Sequence, residues 1–184
     1  MIRCKWCNLK NEKYIEYHDK EWCKPNFDDK YLFEMLILES FQAGLSWECI
    51  LNKREDFRKA FDNFEVEKIC NYNDEKVQEL LKNEKIIRNK LKINATINNS
   101  KIFKKIQNEY GTFHNYLKTF TNDVIIYEID KTTNQLSDNL SKDLQKRGMK
   151  FVGSTIIYSY LQAIGIIYSH DKECFMYKQE LNFI

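Results

Sequence analysis

The amino-acid sequence predicts an all-helical fold, and three observations support that prediction. The 184 residues include one Pro and five Gly, whereas barrels and sandwiches need many tight turns. Apolar residues recur at spacings of three and four along most of the chain. A chain of this length suits a single hydrophobic core. We therefore expect one helical domain that spans residues 1–184.

Composition limits the compartment and the partners. Hydrophobic residues make up 43% of the chain, with 12 Phe, 11 Tyr and 3 Trp, which is enough to build a core. No apolar run reaches the roughly 18–20 residues that span a bilayer, and the first residues lack an apolar signal region. These features predict a soluble, cytoplasmic protein with no membrane partner, which we expect to be a monomer. The net charge is only +2, so nucleic-acid binding would need a local basic patch.

Cap residues and apolar periodicity place the helices of the first half. Asp28 or Asp29 caps the first helix, Ser46 caps the second, and Asn73 or Asp74 opens a short third one. A brief break precedes a longer fourth helix. The apolar positions of these helices are, in order, Leu32, Phe33, Leu36 and Ala43; Trp47, Ile50, Leu51, Phe57 and Phe61; Val77, Leu80 and Leu81; and Ile93, Ile97, Phe103 and Ile106.

The second half continues the helical pattern with one interruption. Gly111 ends the fourth helix, and a fifth follows over residues 113–120. Residues 122–134 are typical of a loop, with one extended segment at Val124-Ile125-Ile126. Ser137 and Ser154 then cap the last two helices.

The two terminal segments, residues 1–26 and 168–184, are aromatic and weakly patterned. Six Cys in a cytoplasmic protein are expected to be reduced thiols, which are available as metal ligands. A metal that joins the two segments would order them, because its binding free energy becomes folding free energy. One chemically suitable tetrahedral set spans both segments: Cys4, His18, His170 and Cys174.

A second possible metal set lies wholly within the N-terminal segment. Cys4, Cys7, His18 and Cys23 follow the spacing of a compact zinc module. Spacing alone favours this local set slightly, and a chain that binds no metal remains the third alternative. Both sets fill the four positions of a zinc shell, so a structural ion is favoured over a catalytic one.

Residues 74–108 pair a short helix with a long one across a tight connection at residues 83–90. Such a connection aims backbone N–H groups of the second helix at an anion, and basic side chains lie nearby. A DNA phosphate is a natural partner, although a solvated helical hairpin is the commoner role of such a segment. The candidate contacts to the DNA backbone are Lys85, Arg88, Lys90 and Lys92.

Glu39 stands in register with Leu32, Leu36 and Ala43, so its carboxyl group projects from an apolar face. A buried carboxylate is costly unless it is paired or serves a function. Just beyond it, Trp47 begins the next helix, either as core packing or as a platform for stacking. The N-terminal segment adds aromatic residues suited to covering the core or to stacking on bases: Trp6, Tyr14, Tyr17 and Trp22.

Together these residues resemble the DNA-3-methyladenine glycosylase I family of helix-hairpin-helix glycosylases, from the first residues to Cys174. The matching strings are Arg3-Cys4-x-Trp6, Tyr14-Ile15-x-Tyr17-His18-Asp19-x-Glu21-Trp22, Leu32-Phe33-Glu34-Met35, Leu38-Glu39, Gln42-Ala43-Gly44-Leu45-Ser46-Trp47, Lys53-Arg54-Glu55, Ile86-Ile87-Arg88-Asn89-x-x-Lys92-Ile93 and Arg147-Gly148-x-Lys150-Phe151-Val152-Gly153-Ser154-Thr155.

The resemblance implies a compact all-α glycosylase domain whose terminal segments are joined by structural Zn²⁺. It places the zinc on the set that spans both segments (Cys4, His18, His170 and Cys174), against the ranking by spacing. It implies that Glu39 is the catalytic-site acid, and that the base is bound by Tyr17, Trp47, Trp6, Tyr14 and Trp22.

The activity implied by the resemblance is hydrolysis of the N-glycosidic bond of 3-methyladenine in alkylated double-stranded DNA. The base is flipped out of the duplex, Tyr17 and Trp47 stack on it, and Glu39 accepts hydrogen bonds from its amino edge. The free base is the product. We expect a monofunctional enzyme without a lyase lysine, and no residue of the sequence is required as a general base. Two other classes remain to be weighed: a non-catalytic DNA-binding module and a zinc hydrolase unrelated to DNA.

Three positions depart from the family pattern. Lys85, Cys23 and Ser40 each stand where the family usually has Gly. A side chain disfavours a positive φ, so we expect the hairpin conformation or its phosphate contact to differ at Lys85, and the local geometry to differ at Cys23 and Ser40.

Overall fold

The computed structural model describes residues 1–178. The last part of the predicted C-terminal zinc segment, residues 179–184, lies outside the described residues. The described chain is mainly helical, with two short strands, as the sequence predicts for the fold class. None of the helices within residues 1–178 is long and apolar enough to cross a membrane.

The elements follow one another closely along the chain. The helices are α1 (Glu12–Lys20), α2 (Asp29–Gln42), α3 (Trp47–Ala60), α4 (Val66–Cys70), α5 (Asp74–Lys82), α6 (Lys90–Tyr110), α7 (Phe113–Thr121), α8 (Gln135–Lys146) and α9 (Ser154–Ala163). A short 3₁₀ turn, Asp62–Phe64, joins α3 to α4. The strands are β1 (Ile126–Tyr127) and β2 (Ile167–Tyr168).

Helix α2 is the centre of the fold. Every residue from Leu32 to Phe41 is buried, and the helix is enclosed by α3, α6, α7 and α9. A helix that is apolar on all sides is stable only when neighbours cover it completely. The polar groups between Leu32 and Phe41, such as Glu39, are therefore held inside the protein.

An ion network fastens the three helices that surround the candidate site. Arg54 of α3 donates to Glu21 after α1 at 2.7 Å and to Glu34 of α2 at 2.6 Å. Arg58 adds a second contact to Glu34, at 2.9 Å. Arg54 and Glu34 are buried, and removing one partner of a buried pair leaves a costly unpaired charge. The network thus fixes the mutual positions of α1, α2 and α3.

The observed caps confirm some sequence predictions and correct others. Asp28, Ser46 and Asn73 cap α2, α3 and α5 with their side chains, as predicted. The two serine caps of the last helices were wrong by a few residues. Asn134 caps α8 while Ser137 completes a capping box, and Gly153 precedes α9, whose first residue is Ser154.

Two further differences lie outside the long helices. The N-terminal segment contains α1, capped by the side chain of Asn11, although the sequence indicated no regular element there. The extended segment expected at residues 124–126 begins two residues later and ends one residue later, at Ile126–Tyr127, where it pairs in parallel with Ile167–Tyr168. This pairing brings the loop after β1 next to the residues that follow β2.

Candidate active site

A cavity of about 320 Å³ opens between the N-terminal segment, the end of α2, the start of α3 and the loops after β1 and β2. All six predicted pocket residues line it: Trp6, Tyr14, Tyr17, Trp22, Glu39 and Trp47. They come from five separate stretches of chain, so the fold and not the sequence spacing brings them together. The volume lies within the usual range of small-ligand pockets.

Glu39 is the chemically unusual group of this cavity. Its side chain is buried, and its Oε2 atom has no hydrogen-bond partner among the residues that the structure describes. Burial raises the pKa of Glu39 to about 8, because removing a carboxylate from water disfavours its charged form. A ligand that brings a positive charge or an N–H donor to Oε2 would satisfy the group.

The aromatic walls are tilted against one another. The rings of Tyr17 and Trp47 lie 5.2 Å apart between centroids, at 51°, and those of Trp6 and Trp22 lie 4.6 Å apart, at 75°. Within residues 1–178 the Nε1 atom of Trp47 is also buried without a hydrogen-bond partner. The cavity therefore offers apolar ring faces together with the buried acid of Glu39 and the buried indole N–H of Trp47, a combination that suits a flat heterocycle.

Several lining residues were not predicted from the sequence. Gln42 lies within a string already singled out, so its position beside Glu39 gave a usable signal. The others are polar residues of loops and of α9 that no local pattern distinguishes: Asp130, Lys131, Ser159, Gln162, Ser169 and Asp171.

Four buried side chains form a Cys–His cluster behind the cavity: Cys4, His18, His170 and Cys174, whose ligand atoms all lie within 4.8 Å of one another. The His170 Nδ1 atom lies 3.4 Å from the Cys4 sulfur and 3.6 Å from the Cys174 sulfur, and His18 Nε2 lies 3.5 Å from the Cys174 sulfur. Ligands on a tetrahedral zinc shell stand about 3.5 Å apart, given the usual Zn–S and Zn–N lengths. The donor set and its spacing thus fit zinc.

The local set favoured by spacing is wrong. The Cys7 thiol faces the carbonyl oxygen of Tyr14 at 3.8 Å, and the Cys23 sulfur accepts the N–H of Ser169 at 3.3 Å. Neither thiol is among the four ligand atoms that lie within 4.8 Å of one another. The reason is tertiary, because the two strands and α9 bring His170 and Cys174 back to Cys4.

Polar and aromatic neighbours hold the cluster in place. Asp19 bonds His18 Nδ1 at 2.7 Å and accepts two bonds from Arg3, at 2.8 and 2.6 Å. The Arg3 contact lowers the pKa of Asp19 to about 2. A carboxylate on the far nitrogen of a histidine fixes the ring orientation that metal binding needs. Burial lowers the pKa of His170 to about 4, so its ring is neutral and able to bind metal.

The Cys–His cluster and the cavity share a wall. The ring of Trp22 lies 4.7 Å from that of His170, and the ring of Trp6 lies 5.3 Å from that of His18. Both indoles also line the cavity. The side chains of Trp6 and Trp22 therefore contact both sites.

The basic residues of the hairpin do not all face solvent. Lys85, Arg88 and Lys90 are exposed, and Lys85 is absent from the residues with a positive φ, so its side chain is accommodated without left-handed strain. The prediction for Lys92 needs correction. It is buried, with its ammonium group bonded to backbone carbonyls of Phe41 and Ala43, and in this structure it is not available to a phosphate.

The helices enclose a cavity whose aromatic walls and buried Glu39 carboxyl group suit a flat, nitrogen-containing ring. The comparisons with known proteins agree. The chain belongs to the methyladenine glycosylase family, which matches residues 6–177. Proteins of this family are hydrolases that act on N-glycosyl bonds.

Individual relatives match over almost their whole length. DNA-3-methyladenine glycosylase 1 of Escherichia coli (strain K12) is 40% identical over 184 residues, covering 96% of this chain and 97% of the relative. A crystal structure of 3-methyladenine DNA glycosylase I superimposes with a TM-score of 0.92 and 38% identity, covering 96% of this chain and 100% of the other. A variant of 3-methyladenine DNA glycosylase I in complex with 3-methyladenine gives a TM-score of 0.89 and 33% identity, with coverages of 95% and 96%.

Proposed function

We propose that this protein excises 3-methyladenine from alkylated DNA by hydrolysing the bond between the base and its sugar. The observation that supports this function most directly is the buried carboxyl group of Glu39, whose Oε2 atom has no partner within residues 1–178 and which lies in a cavity walled by aromatic rings. The relatives' names and the solved complex with 3-methyladenine support the choice of base. The products are the free base and an abasic site.

The depth of Glu39 requires the target base to leave the duplex. A base that stays paired inside the DNA duplex cannot reach a carboxyl group that is buried in the protein. The nucleotide must therefore be extruded into the cavity. Extrusion costs a few kcal/mol and is easiest for a damaged, weakly paired base. Selection for alkylated adenine therefore begins before the base contacts the pocket.

Recognition inside the cavity follows from charge and hydrogen bonding. N3-alkylated adenine is a cation while it is attached to the sugar, and a positive charge close to Glu39 favours the ionised carboxylate despite burial. Glu39 then accepts a hydrogen bond from the exocyclic amino group, whereas guanine presents a carbonyl oxygen there. The ring faces of Tyr17 and Trp47 add cation–π attraction of roughly 0.5–2 kcal/mol each.

Bond cleavage needs little help from the protein once the base is held. The positive charge already makes the base a good leaving group, so Glu39 selects and orients it while water attacks the sugar carbon. Among the described residues, one lysine lines the cavity, Lys131, and its ammonium group is paired with Glu128 at 2.7 Å. That ion pair engages the amine, so residues 1–178 offer the cavity no free amine to attack the sugar. We infer a monofunctional glycosylase.

Zinc is the metal that we assign to the Cys–His cluster. When bound, it supplies folding free energy and no reaction chemistry, because four protein ligands fill its shell. Asp19, which is held by Arg3, orients the His18 ring as one of the ligands. The contacts of the cluster with Trp6 and Trp22 tie its position to that of the pocket wall.

The DNA backbone is assigned to the hairpin between α5 and α6, as in helix-hairpin-helix proteins. The exposed cations Lys85, Arg88 and Lys90 surround the start of α6, where helix N–H groups favour an anion. Contacts of this kind carry no sequence information, which suits an enzyme that must find damage anywhere. We propose that one domain, acting as a monomer, performs the whole reaction.

The decisive experiment is chromatography of the bases released from methylated DNA by the purified protein and its Glu39→Gln variant. The wild type should release 3-methyladenine. The variant should be about 10–100-fold slower, since a hydrogen bond to a charged group contributes about 1.5–3 kcal/mol. Glu79→Gln, which changes an exposed carboxylate of α5, is the matched control. Absence of base release from the wild type would refute the function, and full turnover with full product affinity in Glu39→Gln would refute the role of Glu39.

A further inference from the structure

Lys92 is a buried cation that the proposed chemistry leaves without a role. It is the third residue of α6, and its side chain is 7% exposed. Its Nζ atom donates to the carbonyl oxygen of Phe41 at 2.8 Å and to that of Ala43 at 2.6 Å. The ring of Phe151 lies 5.9 Å from the same atom. An ammonium group is buried only where such partners replace water.

The two carbonyls that Lys92 holds are those at the C-terminal end of α2. Carbonyls of a last helical turn have no partner within their own helix, and α2 has no basic residue in its last turn. Lys92 supplies from another helix the positive charge that this end of α2 lacks. It therefore acts as the cap of α2.

The turn of α2 that Lys92 caps lies between the two polar groups of the cavity, Glu39 and Trp47. Glu39 lies one helical turn before Ala43 and so shares its face of α2. After Ala43 the chain reverses through Gly44, at φ +78°, and enters α3 at Trp47. The backbone held by Lys92 thus links Glu39 to Trp47, whose Oε2 and Nε1 atoms are buried without a hydrogen-bond partner among the described residues.

The backbone of Lys92 belongs to α6, the second helix of the hairpin. Its backbone N–H donates to the side chain of Asn89, the N-cap of α6, at 3.1 Å. The exposed cations Arg88 and Lys90 lie on either side of Asn89. One residue therefore joins the start of the helix that faces DNA to the turn that shapes the pocket.

We propose that Lys92 is a positioning residue for base excision, which sets the geometry of Glu39 and Trp47 through the end of α2. The inference rests on the proposed function and adds to it a direct connection between the hairpin and the pocket. It predicts that loss of the ammonium group impairs capture of the free base even when no DNA is present.

The test compares Lys92→Met with Lys101→Met, which changes an exposed lysine of the same helix. Affinity for free 3-methyladenine, affinity for duplex DNA, and kcat and KM for base release are measured well below each variant's unfolding temperature. Lys92→Met should lose at least tenfold in free-base affinity and in kcat, with duplex affinity changed less than threefold. Lys101→Met should match the wild type.

Two outcomes would overturn the proposal. Unchanged free-base affinity with only a lower unfolding temperature would make Lys92 merely structural. Unchanged free-base affinity with weaker, less salt-dependent duplex binding would make it a phosphate contact after all. A wild type that binds no 3-methyladenine would instead refute the proposed function, so the two failures are distinguishable.

A further measurement keeps the proposal testable if Lys92→Met does not fold. In the wild type, the ¹⁵N–¹H signal of the Lys92 ammonium group should be protected from exchange with water and should shift when 3-methyladenine saturates the pocket. The exposed Lys101 should give neither effect. A Lys92 signal that is insensitive to saturating base would contradict the coupling.

Discussion

At the scale of single residues, Glu39 combines two energetic costs that a protein core normally avoids: the desolvation of a carboxyl group and an unsatisfied hydrogen-bonding atom. It is buried, and among the described residues its Oε2 atom has no partner. Both costs exist only while the cavity lacks a donor or a cation. A group held in this condition is prepared for a ligand of complementary charge, and it weakens the empty protein in a way that depends on pH.

We predict that Glu39→Gln becomes increasingly more stable than the wild type as pH rises. The folded protein holds the Glu39 proton up to a pKa of about 8, whereas the unfolded chain releases it near 4.5. The contribution of Glu39 to stability is therefore complete below pH 4.5 and is lost as pH rises toward 8. Glutamine does not titrate and avoids this loss, which is worth up to about 5 kcal/mol.

Denaturant unfolding of both proteins between pH 4 and 9 measures the difference. Subtracting the two curves removes the titration of every other group. Glu79→Gln, an exposed change, should run parallel to the wild type over the whole range. Parallel curves for Glu39→Gln would contradict the buried, unpartnered state of the carboxyl group.

Sequence reasoning succeeded and failed at identifiable residues. The register of Glu39 with apolar neighbours predicted its burial, and the aromatic strings predicted the pocket walls. Lys92 was misassigned because its charge suggests solvent, whereas two carbonyls of a distant helix offer it an internal site. Cys23, where the family usually has Gly, does adopt the left-handed conformation that favours Gly, with φ +61°.

At the scale of elements, the start of α3 delivers Trp47 to the cavity. The side chain of Ser46 accepts the N–H of Cys49 at 3.2 Å and so fixes the first turn. A comparable cap exists far from the pocket, where Thr112 accepts the N–H of Asn115 at the start of α7, at 3.0 Å. The two caps allow stability and pocket geometry to be separated.

We predict that Ser46→Ala and Thr112→Ala each cost about 1 kcal/mol of unfolding free energy. Only Ser46→Ala should also weaken the binding of 3-methyladenine, by a few-fold, because its first turn begins with Trp47. Equilibrium unfolding and titration with the free base check both statements. Equal losses of base affinity in the two variants would show that the effect is global and not local to α3.

Element prediction from the sequence was strong for long amphipathic helices and weak elsewhere. The helices with clear caps, α2, α3 and α5, begin where the sequence places them. Helix α1 was missed because its buried positions are Tyr14, Tyr17 and His18, which do not read as an apolar stripe. Short strands such as β1 depend on a partner distant in sequence, so no local pattern fixes their position.

At the scale of the whole molecule, the Cys–His cluster joins residues that lie more than 150 positions apart in the sequence. The sequence supplied two competing ligand sets, and their spacing favoured the wrong one. Only the path of the chain through α9 and β2 decides between them, because that path returns His170 and Cys174 to Cys4. Family resemblance carried this tertiary information where spacing did not.

We predict that removing the proposed zinc both destabilises the protein and weakens binding in the pocket. Cys174→Ser should abolish stoichiometric zinc and lower the unfolding temperature by at least about 10 °C, since structural zinc contributes many kcal/mol of folding free energy. Affinity for 3-methyladenine should fall as well, because Trp22 contacts both His170 and the cavity.

Metal analysis, calorimetry and base titration test this prediction. The control is Cys70→Ser, which changes a thiol outside the cluster and should retain zinc and base affinity. A wild-type protein purified without zinc, or a Cys174→Ser variant of unchanged thermal stability, would refute the structural role of the metal.

The shared wall of the cavity has a consequence for biosynthesis. The pocket takes lining residues both from positions 6–22 and from positions 159–171, so the chain must be synthesised through residue 171 before the pocket can be complete. An unfinished polypeptide holds Glu39 and Trp47 but cannot enclose a purine. We therefore expect a translation product that stops before residue 159 to lack base-excision activity.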